Sequence, residues 1–390
     1  MRPLLRQAAL TAMFVACLYL LMLAATSVIE PSPPQLGWLD LSKADDTLYL
    51  TGPKYVVLAR DVLDIPEPKV MVLGGSNALI GFRRDELQAL VPNAKISILA
   101  LGNSNISEIS ELITLVHEVQ DEKARRSDIF VIGAWFGLFV DSDVRWAKAD
   151  RRRGDTDLDV ELYRYGFYRR TADGPVAVLP PQWLRLGVTL VRPYLMVEKL
   201  VRDLTWGARQ SLLRRHRELT DPEREAAAAD ENSKREALAY WRQAVGATGA
   251  ISPAQVALLR QTIDAVLRAG EKVVLVDLPI PAWHRDASPF EAGYERAMHG
   301  ILDEFAGRPG FASLRMPDLD ADQDYSDEVH PKPHLARIWA ARLADTLKSI
   351  AGPAITAADR QAGVTADGKT ADRAGVAAQT PLPASATPAR

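Results

Sequence analysis

Three side chains of the types that together perform nucleophilic acyl chemistry lie far apart in this chain of 390 residues. Ser76 stands in Lys69-Val-Met-Val-Leu-Gly-Gly-Ser-Asn-Ala-Leu-Ile-Gly-Phe82, and Asp327 and His330 stand in Asp324-Tyr-Ser-Asp-Glu-Val-His-Pro-Lys-Pro-His334. A serine hydroxyl is a weak nucleophile until a base takes its proton, and an imidazole serves as that base when a carboxylate fixes its tautomer. On a turn entering a helix, a spacing of three lets Asp327 reach Nδ1 of His330, which leaves Nε2 for the serine. Asp324, six residues from the histidine, is an alternative partner whose spacing fits less well. His334 follows His330 by four; such a pair can bind metal, but no third ligand suggests itself, and neither a metal nor another cofactor is expected. His117, His216, His284 and His299 have no partner that the sequence names.

The surrounding pattern supplies the elements that must position these groups. Val70 to Leu73 is wholly apolar and reads as a buried strand, Gly74 and Gly75 permit a sharp turn, and Arg83 to Leu90 has helical character. Ser76 therefore sits at a strand-to-helix corner, where backbone N–H groups face whatever oxyanion forms. Further strands are expected at Lys95–Ala100, Asp128–Ile132, Lys272–Leu278 and Phe311–Arg315. Helices are expected at Ser107–Gln120, with Ile109, Leu112, Ile113, Val116 and Val119 on one face, at Glu291–Phe305 and at Pro331–Ile350. Alternating strands and helices imply an α/β fold with a parallel sheet covered on both faces, whose sites lie beyond the carboxyl ends of the strands. Ser76, Gly102, Gly133 and His330 all fall at such ends.

These blocks resemble those of the SGNH (GDSL-type) hydrolases. The strand-Gly-Gly-Ser-Asn of residues 74–77 and Asp327-x-x-His330 before the last helix match the first and last blocks. Leu101-Gly102-Asn103 matches the block whose glycine N–H lines the oxyanion hole, and Gly133 matches the start of the next. The resemblance covers roughly residues 55 to 135 and 270 to 350, and implies a flavodoxin-like three-layer fold with Ser76, Asp327 and His330 catalytic and Gly102 an oxyanion donor. Two positions depart from the pattern. Gly75 replaces the aspartate before the serine, and Gly133-Ala-Trp-Phe-Gly137 lacks the usual asparagine, so the side-chain oxyanion donor is missing or supplied elsewhere. Asn77, Asn103 and Asn105 are candidates for that gap. The pattern looks most like the membrane-anchored branch typified by the D-alanyl transfer protein of teichoic acid modification and by exopolysaccharide O-acylation proteins. The alginate acetyltransferases carry their Asp-His pair before the serine and do not match this order.

Arg2 and Arg6 precede an uncharged, mainly apolar run from Ala8 to Ile29, long enough at about 1.5 Å per residue to cross a bilayer core of about 30 Å. Residues 1–30 thus read as a retained signal anchor. Its length favours this over a cleaved signal peptide, although Ala24, Ala25, Thr26 and Ser27 would suit cleavage. Positive residues stay cytoplasmic, which places the bulk of the chain in the periplasm of a bacterial cell. The formal net charge of −3 argues against bulk nucleic-acid binding. Cys17 is the only cysteine, so neither an intrachain disulfide framework nor a cysteine zinc site can form.

Residues 31–54, opening with Pro31-Ser-Pro-Pro34, read as a linker, and residues 55–137 with 251–350 as a split catalytic domain. Residues 138–250 read as a mostly helical insertion. Its Arg145, Lys148, Arg151–Arg153, Tyr163–Arg170, Arg192, Lys199, Arg202 and Arg209 suit either an anionic glycan or lipid surface, or a helical cap with solvated arginines. Following the third strand, this insertion should overhang the catalytic edge. Residues 351–390, rich in Ala, Thr, Pro and Gly, cannot bury enough apolar surface to order themselves. Trp283, after the fourth strand, suits stacking on a sugar or plain packing.

The expected function is acyl transfer through Ser76 to a polysaccharide hydroxyl, beside a multispanning membrane acyltransferase that exports the acyl group. Transfer to water instead makes the chain an esterase or deacetylase, and the absent asparagine keeps a non-catalytic glycan-binding or assembly role open.

Overall fold

The computed structural model of the protein describes residues 2–27, 56–57, 63–102, 104–140, 163, 166–171, 174–194, 221–244, 250–352 and 355. Met1–Thr356 forms one compact unit, and Ala357–Arg390, a second unit, lies outside the described residues. The expected linker and nearly all of the expected disordered tail likewise fall outside them, as does Asn103.

Five parallel strands form the central sheet in the order β2-β1-β3-β6-β7: β1 (Lys69–Gly74), β2 (Lys95–Ile98), β3 (Asp128–Ala134), β6 (Lys272–Asp277) and β7 (Phe311–Arg315). The intervening β4 (Tyr168–Thr171) and β5 (Gly174–Ala177) pair with each other as an antiparallel hairpin. Both central strands β1 and β3 are buried at every residue. Two covered faces explain why they read as continuous apolar runs rather than as an alternation.

The helices are α1 (Arg2–Ser27), α2 (Ser76–Gly81), α3 (Arg84–Leu90), α4 (Ile106–Val119), α5 (Glu122–Arg125), α6 (residues 181–194), α7 (Asp221–Ala226), α8 (Glu231–Ala244), α9 (Pro253–Arg268), α10 (Ala282–Ala287), α11 (Glu291–Phe305) and α12 (Pro333–Ala351). Asn105 starts α4 with a capping box, its side chain accepting from the Glu108 N–H while Glu108 accepts from the Asn105 N–H. Ile109, Leu112, Ile113, Val116 and Val119 then face the core together. At α12 the buried stripe is Leu335, Trp339, Leu343 and Leu347, whereas Ile338 is exposed. Over Pro3–Ser27, α1 is long and apolar enough to cross a membrane.

Within 138–250 the described residues hold the β4–β5 hairpin as well as α6, α7 and α8, so the stretch is not purely helical. The hairpin packs on α4: Tyr163 donates to Glu111 Oε2 at 2.7 Å, and a Cβ on Gly174 would meet Thr114 at 3.1 Å. Arg145, Lys148, Arg151–Arg153, Lys199, Arg202 and Arg209 lie outside the described residues.

Candidate active site

The register of the sheet brings the glycine turns to one edge. Gly74 of β1 lies opposite Gly133 of β3, and Ala134 opposite Asp277 of β6. At Gly74 the chain adopts φ +148°, and a Cβ there would lie 2.7 Å from Ala78 Cβ and 2.8 Å from the Gly133 carbonyl oxygen. Only glycine permits that conformation and that approach. Released by this turn, the chain enters α2 with Ser76 as its first residue, earlier than the helix expected from Arg83. The expected helix follows as α3 (Arg84–Leu90), after the break at Phe82, and α2 is the additional turn of helix ahead of it.

His330 arrives from a compact loop ahead of α12. Tyr325 and Pro331 form an isolated bridge, the Ser326 N–H donates to the His330 carbonyl at 3.0 Å, and the Lys332 N–H donates to the Asp324 carbonyl at 2.9 Å. Inside the loop Asp327 Oδ1 accepts from the backbone N–H groups of Val329 and His330 at 3.0 and 2.9 Å. Its other oxygen, Oδ2, lies 2.6 Å from His330 Nδ1, and His330 Nε2 lies 2.9 Å from Ser76 Oγ. Thus the carboxylate is held by backbone, the imidazole by the carboxylate, and the hydroxyl faces the free nitrogen. This is the hydrogen-bond sequence that general-base activation of a serine requires.

Electrostatics follow from the same contacts. Burial disfavours the charged form of His330, but the attraction and hydrogen bond of Asp327 outweigh it and raise the imidazole above its usual 6.5. Burial pushes the Asp327 carboxyl up, while His330 and the two backbone N–H groups pull it down further, leaving it below 3.8. The pair therefore favours an imidazolium once a proton arrives.

On the oxyanion side, the loop after β2 is tied to the serine turn: the Leu101 N–H and Ser104 Oγ both donate to the Gly74 carbonyl, at 2.9 and 3.3 Å. Gly102 is exposed, and a Cβ there would meet nothing within 4 Å, so its backbone borders open space. Among the described residues the N–H groups of Ser76 and Asn77, the first of α2, donate to no backbone carbonyl, as is usual for the start of a helix.

The asparagine candidates separate. Asn105 is spent on capping α4. Asn77 is fully buried; its Oδ1 lies 3.0 Å from the Ala78 N–H and its Nδ2 has no partner, so it does not open toward a substrate beside Ser76. Two residues after Gly133, in the block that lacks the asparagine, Trp135 packs its indole behind Gly75, with Nε1 buried and unpartnered. It belongs to an aromatic cluster with Phe136, Trp241 and His284.

Trp283 is half-buried, its backbone N–H donating to Asp322 at 3.1 Å, its ring stacked on His284 at 5.3 Å and Lys234 Nζ 5.8 Å from its centre. Asp324 turns to His334 at 3.2 Å rather than to His330, and the same His334 ring lies 2.5 Å from Glu225 of α7.

Two supporting features escape sequence reasoning. His284 is fully buried, its Nδ1–H donating to the Glu328 carbonyl at 2.7 Å inside the Asp327–His330 loop, and burial pushes it down to about 4. Its neighbours come from four separate segments, so no local spacing announces it. Second, α7 is fastened over this edge by Arg83–Asp221 bonds of 2.6 and 2.8 Å and by Glu225–His334. No family model matches the chain, and no curated protein matches its sequence.

Proposed function

We propose that the chain is a serine-dependent O-acyltransferase of the SGNH type that passes an acyl group, acetyl foremost, to a hydroxyl of a cell-surface or exported polysaccharide. The observation that carries this reading is His330 lying between Ser76 at 2.9 Å and Asp327 at 2.6 Å, across 254 residues of sequence. In the first half-reaction Ser76 Oγ attacks the acyl carbonyl as its proton passes to His330 Nε2. The tetrahedral oxyanion draws on the N–H groups of Gly102 and the start of α2, each such donor being worth roughly 3 kcal/mol of barrier. The imidazolium then gives its proton to the departing oxygen, leaving acyl-Ser76. In the second half His330 removes the proton of a glycan hydroxyl, which attacks the acyl-serine, and returns it to Ser76 Oγ. Asp327 holds the ring in one tautomer throughout.

Arg2 and Arg6 ahead of the apolar helix favour a cytoplasmic N-terminus, and the proposal accordingly puts the catalytic domain in the periplasm, at the outer face of the cytoplasmic membrane. A multispanning acyltransferase delivering the acyl group is the partner that this placement suits. With water as acceptor, the same residues make a carbohydrate esterase. The complete serine, histidine and aspartate set supports either catalytic reading over a glycan-binding role.

Intact mass spectrometry of the full chain in detergent, incubated with a small acetyl ester, tests the proposal. A gain of one acetyl group on the wild type and none on Ser76→Ala is expected. Added glycan acceptors should then collect the acetyl group, and turnover without them marks the esterase. A folded wild type with neither adduct nor turnover overturns the nucleophile.

A further inference from the structure

Helix α6 (residues 181–194) carries two apolar stripes where a surface helix needs one. Leu184, Val188 and Val191 face the core. Trp183, Leu186, Leu190 and Tyr194 follow at steps of three, four and four along a second line, and they are 58, 47, 47 and 50% exposed. Steps of this size keep side chains on one face of a helix. Exposed apolar residues scattered singly need no explanation, but a continuous stripe does.

What covers that stripe is indicated by what α6 touches. The Tyr19 hydroxyl of α1 donates to the Leu190 carbonyl, and Arg192 Nε donates to the Thr26 carbonyl at 2.9 Å. Seven residues of α1, about 10 Å at 1.5 Å per residue, separate those two points. Both contacts thus fall within about the last two and a half turns of a helix that is exposed as far as Leu21, with only Met22, Leu23 and Thr26 partly or fully covered. A bilayer core of about 30 Å takes up about 20 residues of helix, here Ala8 to Ser27, so the Arg192–Thr26 contact lies at the acyl and headgroup boundary and the Tyr19–Leu190 contact about 10 Å deeper in the same leaflet. The exposed stripe of α6 has a Trp at one end, a Tyr at the other and leucines between, the composition of a helix seated at that boundary.

We propose that α6 is an interfacial helix, lying in the leaflet where α1 leaves the membrane with Trp183, Leu186, Leu190 and Tyr194 among the lipids. The proposal rests on α1 spanning the bilayer. It gives the anchor a mechanical role, because α6 is fixed to the sheet domain through its buried stripe and through Arg185, 3.8 Å from Asp64. The β4–β5 hairpin just before α6 is tied to α4 by the Tyr163 and Arg170 contacts with Glu111. The membrane then sets the orientation of the domain rather than merely its location.

Spin-label accessibility in the full chain, reconstituted in vesicles of phosphatidylethanolamine and phosphatidylglycerol, tests this. The native Cys17, in the middle of α1, gives the value for a bilayer interior. On a Cys17→Ser background, Leu186→Cys and Leu190→Cys should collide with oxygen readily and with a water-soluble nickel chelate hardly more than Cys17 does. Thr189→Cys, on the exposed polar line of Gln182 and Arg185, about 100° round the helix from Leu190 and about 60° from Leu186, should meet the chelate freely. Chelate access at 186 and 190 equal to that at 189 overturns the interfacial helix while leaving the anchor intact. Chelate access at Cys17 as well overturns both. Protection of 186 and 190 from both reagents overturns it in favour of a protein partner on the stripe.

Discussion

Trp135 Nε1 lies 3.4 Å from the place a Cβ on Gly75 would occupy, one residue before the candidate nucleophile Ser76. Gly75 and the block of residues 133–137, to which Trp135 belongs, are where the sequence is expected to depart from the SGNH pattern, and Trp135 packs against Gly75. A side chain at position 75 would meet Asn77 Oδ1 at 3.3 Å and Leu138 at 3.6 Å as well. A Cβ would thus touch the indole at ordinary van der Waals distance and crowd Asn77 Oδ1, which leaves little room for the carboxyl of an aspartate on that side.

That contact predicts coupled substitutions. Gly75→Asp alone should destabilise the protein by about 1–3 kcal/mol through overpacking, with an added cost for a carboxylate beside Asn77 Oδ1, and should abolish ester turnover. Trp135→Asn alone should cost about 3–5 kcal/mol for the cavity left in the aromatic cluster. In the double variant the losses should fall short of additive by about 1 kcal/mol or more, read by urea unfolding. Strict additivity would mean that the two sites do not share space.

The raised imidazole of His330 predicts where activity fades on the acid side. A general base works only when neutral, so kcat/KM should fall as pH drops through a midpoint above 6.5. Asp327→Asn removes the charge that raises the ring and should bring the midpoint down, because burial alone then acts on it. The plateau rate should also drop, by about 100-fold or more, since the tautomer is no longer fixed. An unmoved midpoint in Asp327→Asn would separate the carboxylate from the base. For stability the pair acts in two windows: the raised His330 contributes below 6.5 and loses that contribution as pH rises through its folded value. The depressed Asp327 contributes above 3.8 and loses that as pH falls through its own.

How much of this was legible follows from range. All five sheet strands and α11 were readable because burial on two faces writes an unbroken apolar run, and a packed helix writes a stripe; Glu291–Phe305 coincides with its expected span. Ser76 and the Asp327–His330 spacing were readable because glycine turns and a three-residue separation are local. Trp135 behind Gly75, His284 under the loop and α7 on α12 join segments remote in sequence, and no local pattern specifies them. The hairpin of Tyr168–Thr171 and Gly174–Ala177 was obscured by its short strands and by arginines that favour a helical reading.

His284 predicts an acid sensitivity of the fold. Its ring is buried neutral and pushed down to about 4 from 6.5, so an unfolded chain binds its proton more readily than the folded one. The stability this represents is fully present above 6.5 and is lost as pH falls toward 4, up to about 3 kcal/mol for a difference of that size. His284→Phe should flatten that part of the Tm profile. It should also lower kcat on a small ester by loosening the loop that His284 braces at Glu328, with KM little changed. A Tm profile as steep as the wild type would assign the acid loss to other groups.

Lys69 and Asp128 offer the control that separates stability from chemistry. They pair at 2.9 Å and are 1 and 0% exposed, at the opposite end of β1 from Gly74, about 16 Å away at 3.3 Å per residue. Lys69 Nζ also donates to the carbonyls of Ile65, Glu67 and Ala124, at 2.6, 3.3 and 3.1 Å, whereas the remaining support of Asp128 is Gln120 at 2.8 Å. Removing the lysine leaves a buried carboxylate nearly alone, so Lys69→Met should cost about 3–5 kcal/mol. Asp128→Asn leaves an ammonium with three acceptors and should cost less. Burial holds the Asp128 carboxyl at about 7, above its usual 3.8, even against the lysine. Its contribution is therefore fully present below 3.8 and lost as pH rises through 7, and Asp128→Asn should remove that slope. Neither substitution should change kcat at temperatures where the variant stays folded. An equal cost for both, by urea unfolding at pH 7, would show that the carbonyl cage does not hold the ammonium on its own.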